Sequence, residues 1–404
     1  MKEDEKKIKS SEVCIEVFPA EEGDSILITL EGIDKRVLID GGTAATYRNV
    51  LRYKLVELNN KKKSIDLLIV THIDNDHIGG IIELLKENGT AKNPQIISIK
   101  NIWHNSYRHL QIDKVQSAGS AEKQILKDMI SGISNEECCL LESNKKEISA
   151  IQGSTLAAWI LKGGYTWNEQ FKGNAVSNSL SEVNFGEDCT IKVLLPGQQE
   201  LANLARKWRH ELLKKRISFN FAEDDIFDDA YEVYCRYLIK TPRGKNKQIS
   251  SKSSGDVIDI CELASIKEEE DDSETNLASI SILLEYRGKK ILMLADNVAD
   301  HIVEKLNHDQ YFDAIKIPHH GSSKNISNDF LEKYYSENYL ISTSSAKYGH
   351  PDISTLAKIV NCKGIKKTIY FNYEIQKIKD FAELFYENKD IEVVFLKNGQ
   401  KIIL

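Results

Sequence analysis

The chain has 404 residues, 41% of them apolar and 28% charged. Its formal charge of -7 excludes a protein that coats nucleic acid through bulk electrostatics, but not an enzyme that grips phosphates locally through metals. Seven cysteines (Cys14, Cys138, Cys139, Cys189, Cys235, Cys261, Cys362) without C-x-x-C spacing point to reduced thiols in a cytoplasmic protein and away from a disulfide framework or zinc ribbon.

No stretch approaches the ~18 apolar residues of a membrane span, and the polar run from Met1 to Lys7 lacks a signal core, so neither export nor membrane anchoring is expected. After this charged tail, Cys14 to Phe18, Ser25 to Leu30 and Arg36 to Ile39 read as strands joined by short turns, an antiparallel meander. The third strand ends in Asp40-Gly41-Gly42. A helix is expected from about Val50 to Leu58.

Ile65 to Val70 is a short buried strand, and Ile78 to Leu85, closed by Asn88-Gly89, is the helix after it. Between them lies Thr71-His72-Ile73-Asp74-Asn75-Asp76-His77-Ile78-Gly79-Gly80, with two histidines and two aspartates within six residues. Side chains at i and i+2 of an extended segment point the same way, so His72 and Asp74 can grip one ion while Asp76 and His77, at the helix entry, grip a second. Gly79 and Gly80 let the backbone pass close beneath. A capped helix with incidental polar residues is the bland alternative.

Ile97 to Trp103 reads as another strand, ending in His104, which is a candidate ligand, a site-lining residue or a plain surface histidine. His109 and His210 read as surface. Residues 110 to 185 are helical in flavour, with one apolar face at Ile125, Leu126, Met129, Ile130 and Ile133 and another at Leu156, Trp159 and Ile160, broken by Gly163-Gly164. Trp159 and Trp167 read as core. Cys189 to Leu195 is a strand stopped by Pro196-Gly197.

A helix over Arg206 to Arg216 carries Arg206, Lys207, Arg209, Lys214, Lys215 and Arg216 against the single acid Glu211; a second basic run holds Arg236, Lys240, Arg243, Lys245 and Lys247. These form either an electrostatic track for a polyanion or solvated faces. Residues 241 to 275, serine-rich and then acidic through Glu268 to Asp272, read as a mobile loop.

Ser279 to Glu285 and Lys290 to Asp296 form a hairpin that delivers a carboxylate at its end. Ala314 to Pro318 leads to His319-His320-Gly321-Ser322-Ser323-Lys324, and Tyr339 to Thr343 leads to Tyr348-Gly349-His350-Pro351. Each strand ends in a potential ligand, aimed at one edge of a sheet. Val393 to Leu396 and Lys401 to Leu404 are expected to close the chain as a hairpin.

The motif at His72 to His77 resembles the H-x-H-x-D-H signature of the metallo-β-lactamase fold superfamily, with Asp74 at the second histidine position. That aspartate, followed by Ile78-Gly79-Gly80, is similar to the branch typified by the soluble domain of the competence protein ComEC. The resemblance extends through Asp40-Gly41-Gly42, Asp296, Pro318-His319-His320-Gly321-Ser322 and Tyr348-Gly349-His350-Pro351, nearly the whole chain outside the insertions.

It implies an α/β fold, a four-layered αβ/βα sandwich over residues 12-404 as a single domain, with insertions at about 105-188 (helical) and 198-276 (basic helix plus mobile loop). It also implies that Asp40 orients the metal-binding turn, that Asp296 bridges two metals and that a late histidine completes the second. His320 is favoured for that ligand, with His319 and His350 as ligands or substrate-side acids.

The expected metal set is thus His72, Asp74, Asp76, His77, Asp296 and His320, holding two divalent ions, Zn²⁺ or Mn²⁺; Asp74 makes the site oxygen-richer and favours the harder ion. Asp76, His319 and His350 are the catalytic candidates, while His104, Ser322, Lys324, Arg206, Lys207 and Arg209 are candidates for touching substrate.

Asp74, Asp76 and Asp296 offset three of the four charges on two divalent ions, a clamp suited to phosphodiester hydrolysis. The expected function is a phosphodiesterase or nuclease with DNA or RNA as substrate. A hydrolase of small phosphodiesters or esters is the alternative, and a non-catalytic metal-binding scaffold subunit the second. A regulatory protein partner is a hypothesis for a nuclease in a cytosol, and oligomeric state is not encoded.

Overall fold

In the strand Ile26–Leu30, Ile26, Ile28 and Leu30 point into one core while Leu27 points into another, because successive side chains of a strand alternate between its faces. Repeated across the chain, that alternation builds two sheets stacked face to face with helices outside both. The computed structural model describes residues 12–110, 155–214, 228–229, 231–232, 259–306, 310–364, 366–385, 389–397 and 399–404, with the side chains of 209 and 211–214 outside that set. The charged tail, the apolar face at Ile125 to Ile133, the second basic run and the serine-rich stretch lie outside the described residues.

The first sheet runs Ile402–Ile403, Val13–Val17, Ile26–Leu30, Lys35–Ile39, Leu67–Ile69, Ile102–Trp103. The second runs Ile391–Phe395, Lys367–Phe371, Asn338–Ile341, Ala314–Lys316, Lys289–Met293, Ser281–Tyr286, Cys189–Leu195, Val183–Gly186. Between them, Val13, Ile15, Ile28 and Val37 meet Ile191, Ile282, Leu284 and Ile291 in a fully buried layer.

Outside the first sheet, Leu27, Leu38 and Leu68 pack under the helices Arg52–Asn60, Asn75–Asn88, Leu156–Gly163 and Gln198–Lys214. Outside the second, Leu292, Ile315, Ile341 and Phe371 pack under Asn328–Lys333, Ile353–Asn361 and Gln376–Glu383. The αβ/βα order and the opening meander match the expectation. No helix among the described residues is long and apolar enough to cross a membrane. The described cysteines Cys14, Cys189, Cys261 and Cys362 are free thiols.

Strands Lys35–Ile39 and Leu67–Ile69 pair in parallel, as do Lys289–Met293, Ala314–Lys316 and Asn338–Ile341. Their carboxyl ends therefore open on one rim, the place where α/β sheets hold ligands. Two glycines let the rim close up: a Cβ on Gly80 would stand 2.0 Å from the Gly41 carbonyl oxygen, and one on Gly23 would stand 1.6 Å from that of Asp76.

Several expectations need correction. The final residues form no hairpin: Ile391–Phe395 pairs in parallel with Lys367–Phe371, and Ile402–Ile403 crosses to the first sheet to pair with Val13–Val17. Each finds a backbone partner there that a hairpin would have left at an open edge. The strand expected over Ile97 to Trp103 shrinks to Ile102–Trp103. The described part of the loop expected over 241 to 275, from residue 259 on, is not outside the core: it holds the helix Ile260–Ala264, enters the helix Glu274–Leu277 and buries Asp271 and Thr275.

Candidate metal centre

Asp40 follows the third strand directly and is fully buried in left-handed backbone at φ 55°. It accepts from the Thr71 backbone N–H at 2.8 Å and the Thr71 hydroxyl at 2.6 Å, and meets Nδ1 of His77 at 2.9 Å. The Thr71 hydroxyl, having given its proton to Asp40, accepts from Nδ1 of His72 at 3.0 Å. Both histidines are thereby fixed with hydrogen on Nδ1 and a lone pair on Nε2, as metal-ligating histidines are oriented. Asp74 occupies the N-cap position of Asn75–Asn88, yet its side chain caps nothing. That argues against the merely capped helix.

The second sheet contributes Asp296 and the turn 319–321. His320 gives Nδ1–H to the Ser342 carbonyl at 2.9 Å, which leaves its Nε2 3.3 Å from Oδ2 of Asp296. Nε2 of His77 lies 3.5 Å, and Nε2 of His72 3.8 Å, from the same oxygen. Ala295, His319 and His320 all have positive φ, so the turns that aim these groups are held in costly backbone by their surroundings.

Three acceptor nitrogens therefore face one acceptor carboxylate in a buried site, and Nε2 of His72, Nε2 of His77 and Oδ1 of Asp296 have no hydrogen-bond partner. Such a convergence is repulsive unless positive charge sits within it. The spacings suit a common ion, since ligands about 2.0–2.1 Å from a tetrahedral metal lie roughly 3.3 Å apart. Left to protons, the cluster polarises. Burial and His77 hold His72 well below the usual imidazole range, whereas Asp296 and Asp40 outweigh burial and hold His77 well above it. Burial opposes the charge on Asp296, but His320 and His77 prevail and its carboxyl stays well below the usual range.

Donor atoms of Asp76, His77 and His320 also converge, as do those of Asp24, Asp296 and His320. Asp74 lies at the rim, its Oδ2 3.9 Å from Nε2 of His72, and loss of solvation followed by repulsion from Asp76 pushes its carboxyl up to about 7. The structure thus brings His72, Asp76, His77, Asp296 and His320 together, with Asp74 alongside.

His319 and His350 stand beside this cluster, their ring centroids 5.7 Å apart and that of His319 5.8 Å from His320. Nδ1 of His319 lies 3.1 Å from Oδ2 of Asp271 and 3.0 Å from Oδ1 of Asn325. Burial disfavours charge on His319, but Asp271 overcomes it and raises the ring above its usual range. Nδ1 of His350 is 3.6 Å from Asp352, which accepts from the N–H and hydroxyl of Ser323.

The remaining candidates lie elsewhere. His104 is neither surface nor open to substrate; it is fully buried, with Nε2 3.0 Å from Glu232, because this strand end is covered by the insertion. His109 is likewise buried, accepting from Ser106 N–H and edge-on to Trp167. Ser322 is closed to solvent and its N–H bonds the His319 carbonyl, so it braces the turn and is not part of the surface an incoming molecule meets. Lys324 is exposed, as is His210. Arg206 is exposed and donates to Asn203, Lys207 pairs with Glu274 at 2.5 Å, and the Arg209 side chain is outside the described residues.

Three residues escaped sequence reasoning. Asp24 is buried, with Oδ1 3.7 Å from Nδ1 of His320, and Lys316 is buried against Asp24 with its ammonium 3.8 Å from Oδ1 of Asp296. Asp271 is the third. A lysine two residues before Pro318-His319-His320, inside an otherwise apolar strand, was a usable signal, because a buried lysine needs a carboxylate. Asp24 read as a turn residue and Asp271 as one acid in a charged run.

Residues 19–93 match the family model of the Metallo-beta-lactamase superfamily. That match takes in Asp40 and the turn from His72 to His77. Over 72 residues the chain is 40% identical to 7,8-dihydropterin-6-methyl-4-(beta-D-ribofuranosyl)-aminobenzene-5'-phosphate synthase of Methanocaldococcus jannaschii, a match spanning 17% of this chain and 24% of that protein. The crystal structure of the metallo-beta-lactamase fold protein YhfI from Bacillus subtilis aligns over 98% of this chain and 100% of that one, at 10% identity and a TM-score of 0.38. Members of the metallo-β-lactamase superfamily are generally metal-dependent hydrolases, and the histidine-aspartate cluster described above is one that could hold a metal ion.

Proposed function

We propose that this protein is a metal-dependent phosphodiesterase acting on nucleic acid. The observation that carries the metal reading is the convergence of the Nε2 atoms of His72, His77 and His320 on Asp296, with hydrogen already committed to Nδ1 in each ring. His72, Asp74, Asp76, His77, Asp296 and His320 would hold two divalent ions, Zn²⁺ or Mn²⁺, which when bound supply Lewis-acid polarisation and acidify water.

The protein's own groups do the rest. Asp40 fixes the ring of His77, and Asp296 shares one carboxylate among three imidazoles. His319, its Nδ1 anchored by Asp271, presents Nε2 as the proton donor to the leaving oxygen, with His350 beside it. Asp74, Asp76 and Asp296 would offset three of the four charges on two divalent ions and Asp40, against His77, the fourth, while Lys316 and Asp24 cancel, so the loaded site would be near neutral, a modest charge suited to a phosphodiester. Placement in the ComEC-like branch rests on Asp74 with Ile78-Gly79-Gly80.

Nucleic acid is supported by Arg206 on the exposed side of Gln198–Lys214. A small phosphodiester is the second reading, favoured by the pairing of Lys207 with Glu274, which uses one cation of the track internally. Assays on plasmid DNA, RNA and bis(4-nitrophenyl) phosphate, each with and without Mn²⁺ or Zn²⁺, test both. Metal-dependent cleavage of polymer and small diester supports the first; cleavage of the small diester alone supports the second; no cleavage of any overturns both.

A further inference from the structure

Residues 343–351 make a loop whose two ends are fixed while its tip stands in solvent. Glu22, buried, accepts from the Thr343 hydroxyl at 2.9 Å, the Ser344 hydroxyl at 2.5 Å, and the N–H groups of Ala346 at 2.7 Å and Lys347 at 3.0 Å. The Lys377 ammonium closes the other end on the carbonyls of Gly349 and Pro351. A buried carboxylate with four donors is a strong restraint. What it holds in place is Tyr348, 48% exposed, with the Lys347 ammonium 4.5 Å from its ring centroid.

The tip is not remote. The Tyr348 ring lies 6.4 Å from that of His350, which lies 5.7 Å from His319, beside the cluster. The charge of Asp76 also acts on Lys347. An exposed aromatic ring and a cation, both preorganised beside His350, match the two requirements of single-stranded nucleic acid: a surface for the base and a charge for the backbone.

We propose that Tyr348 and Lys347 form a subsite for one nucleotide next to the scissile phosphodiester, the ring stacking on its base and the ammonium meeting its phosphate. This rests on the phosphodiesterase reading for its role, though not for its detection. Because stacking uses the π-face of any base, the subsite selects nucleotides over other phosphodiesters without selecting sequence.

The test is calorimetric binding of adenosine 5'-monophosphate and of ribose 5-phosphate to the full chain in Mn²⁺. The wild type binds the nucleotide more tightly. Tyr348→Ala weakens nucleotide binding about 5- to 150-fold, the range for losing one base–aromatic stack, and leaves ribose 5-phosphate unaffected; Tyr348→Phe retains it. Equal nucleotide affinity in wild type and Tyr348→Ala, at unchanged melting temperature, overturns the subsite. Turnover of bis(4-nitrophenyl) phosphate by the wild type is measured alongside. Its absence while base-dependent binding persists overturns the phosphodiesterase reading alone and supports a nucleotide-binding subsite.

Discussion

Asp271 reaches His319 across the fold, Oδ2 to Nδ1 at 3.1 Å, and the same oxygen accepts from Asn276 at 2.6 Å. A carboxylate so held fixes both the tilt of the ring and the nitrogen that carries its outward-facing proton.

Asp271→Asn is therefore expected to lower kcat roughly 10- to 100-fold with little change in KM, as loss of a partner that orients a working side chain does. Metal content, measured on the purified variant, is expected to stay at the wild-type level. A fall in KM-type binding with kcat preserved would show that Asp271 only supports the fold.

Two divalent ions per chain are expected by elemental analysis. At ion concentrations about 100-fold above Kd each stabilises the fold by roughly 2.7 kcal/mol, and chelation removes this. In Asp296→Ala the ion-induced rise in melting temperature disappears together with hydrolysis. A rise equal to that of the wild type would remove Asp296 from the metal set. Asp76→Ala is expected to abolish hydrolysis while costing little stability, since Asp76 is half-exposed.

Gly80→Ala sets helix propensity against contact. In an open helix the change is worth about 1 kcal/mol in favour of alanine. Here the new Cβ would stand 2.0 Å from a backbone oxygen of Gly41, and overpacking of that kind costs about 1–3 kcal/mol or more. Net destabilisation in a denaturant melt and a lower metal affinity are expected, because Gly41 adjoins Asp40.

Asp352 gives a pH signature. Burial works against its charge, but His350 and Ser323 prevail and hold its carboxyl at about 2. A depressed folded value adds stability that is complete above the unfolded value of about 3.9 and is lost as pH falls through about 2. Asp352→Asn is thus expected to cost on the order of 2 kcal/mol at pH 6 and almost nothing near pH 2. Melts across that window check it; a difference that grows towards acid would reverse the sign.

Much of this was legible in the residues. Strands ending in Asp40, His72, Asp296 and His320 announced a common rim, since periodicity marks a strand and the ligand marks its end. What stayed hidden depends on contacts between segments far apart in sequence. His104 has the same local context as His72, a histidine just after a buried strand, yet the one is sealed against Glu232 and the other opens on Asp296. Ile402–Ile403 looked like half of a hairpin because alternation fixes which face a strand shows, but not which edge it joins.

Asp40, His72 and His77 belong to the first sheet and its helix, and Asp296 and His320 to the second. An ion among them would rivet two layers that also meet through the oily seam of Val13, Ile28, Ile282 and Ile291 and through the polar contacts of Glu22 and Asp24. Neither layer owns a complete set of ligands, so assembly of the site waits on their docking. In the metal-free protein the backbone amides along the Thr71 and His320 turns are expected to exchange hydrogen faster than the strands behind them, and loading with ions to slow both turns together. The ion then reports on closure of the sandwich as much as on chemistry.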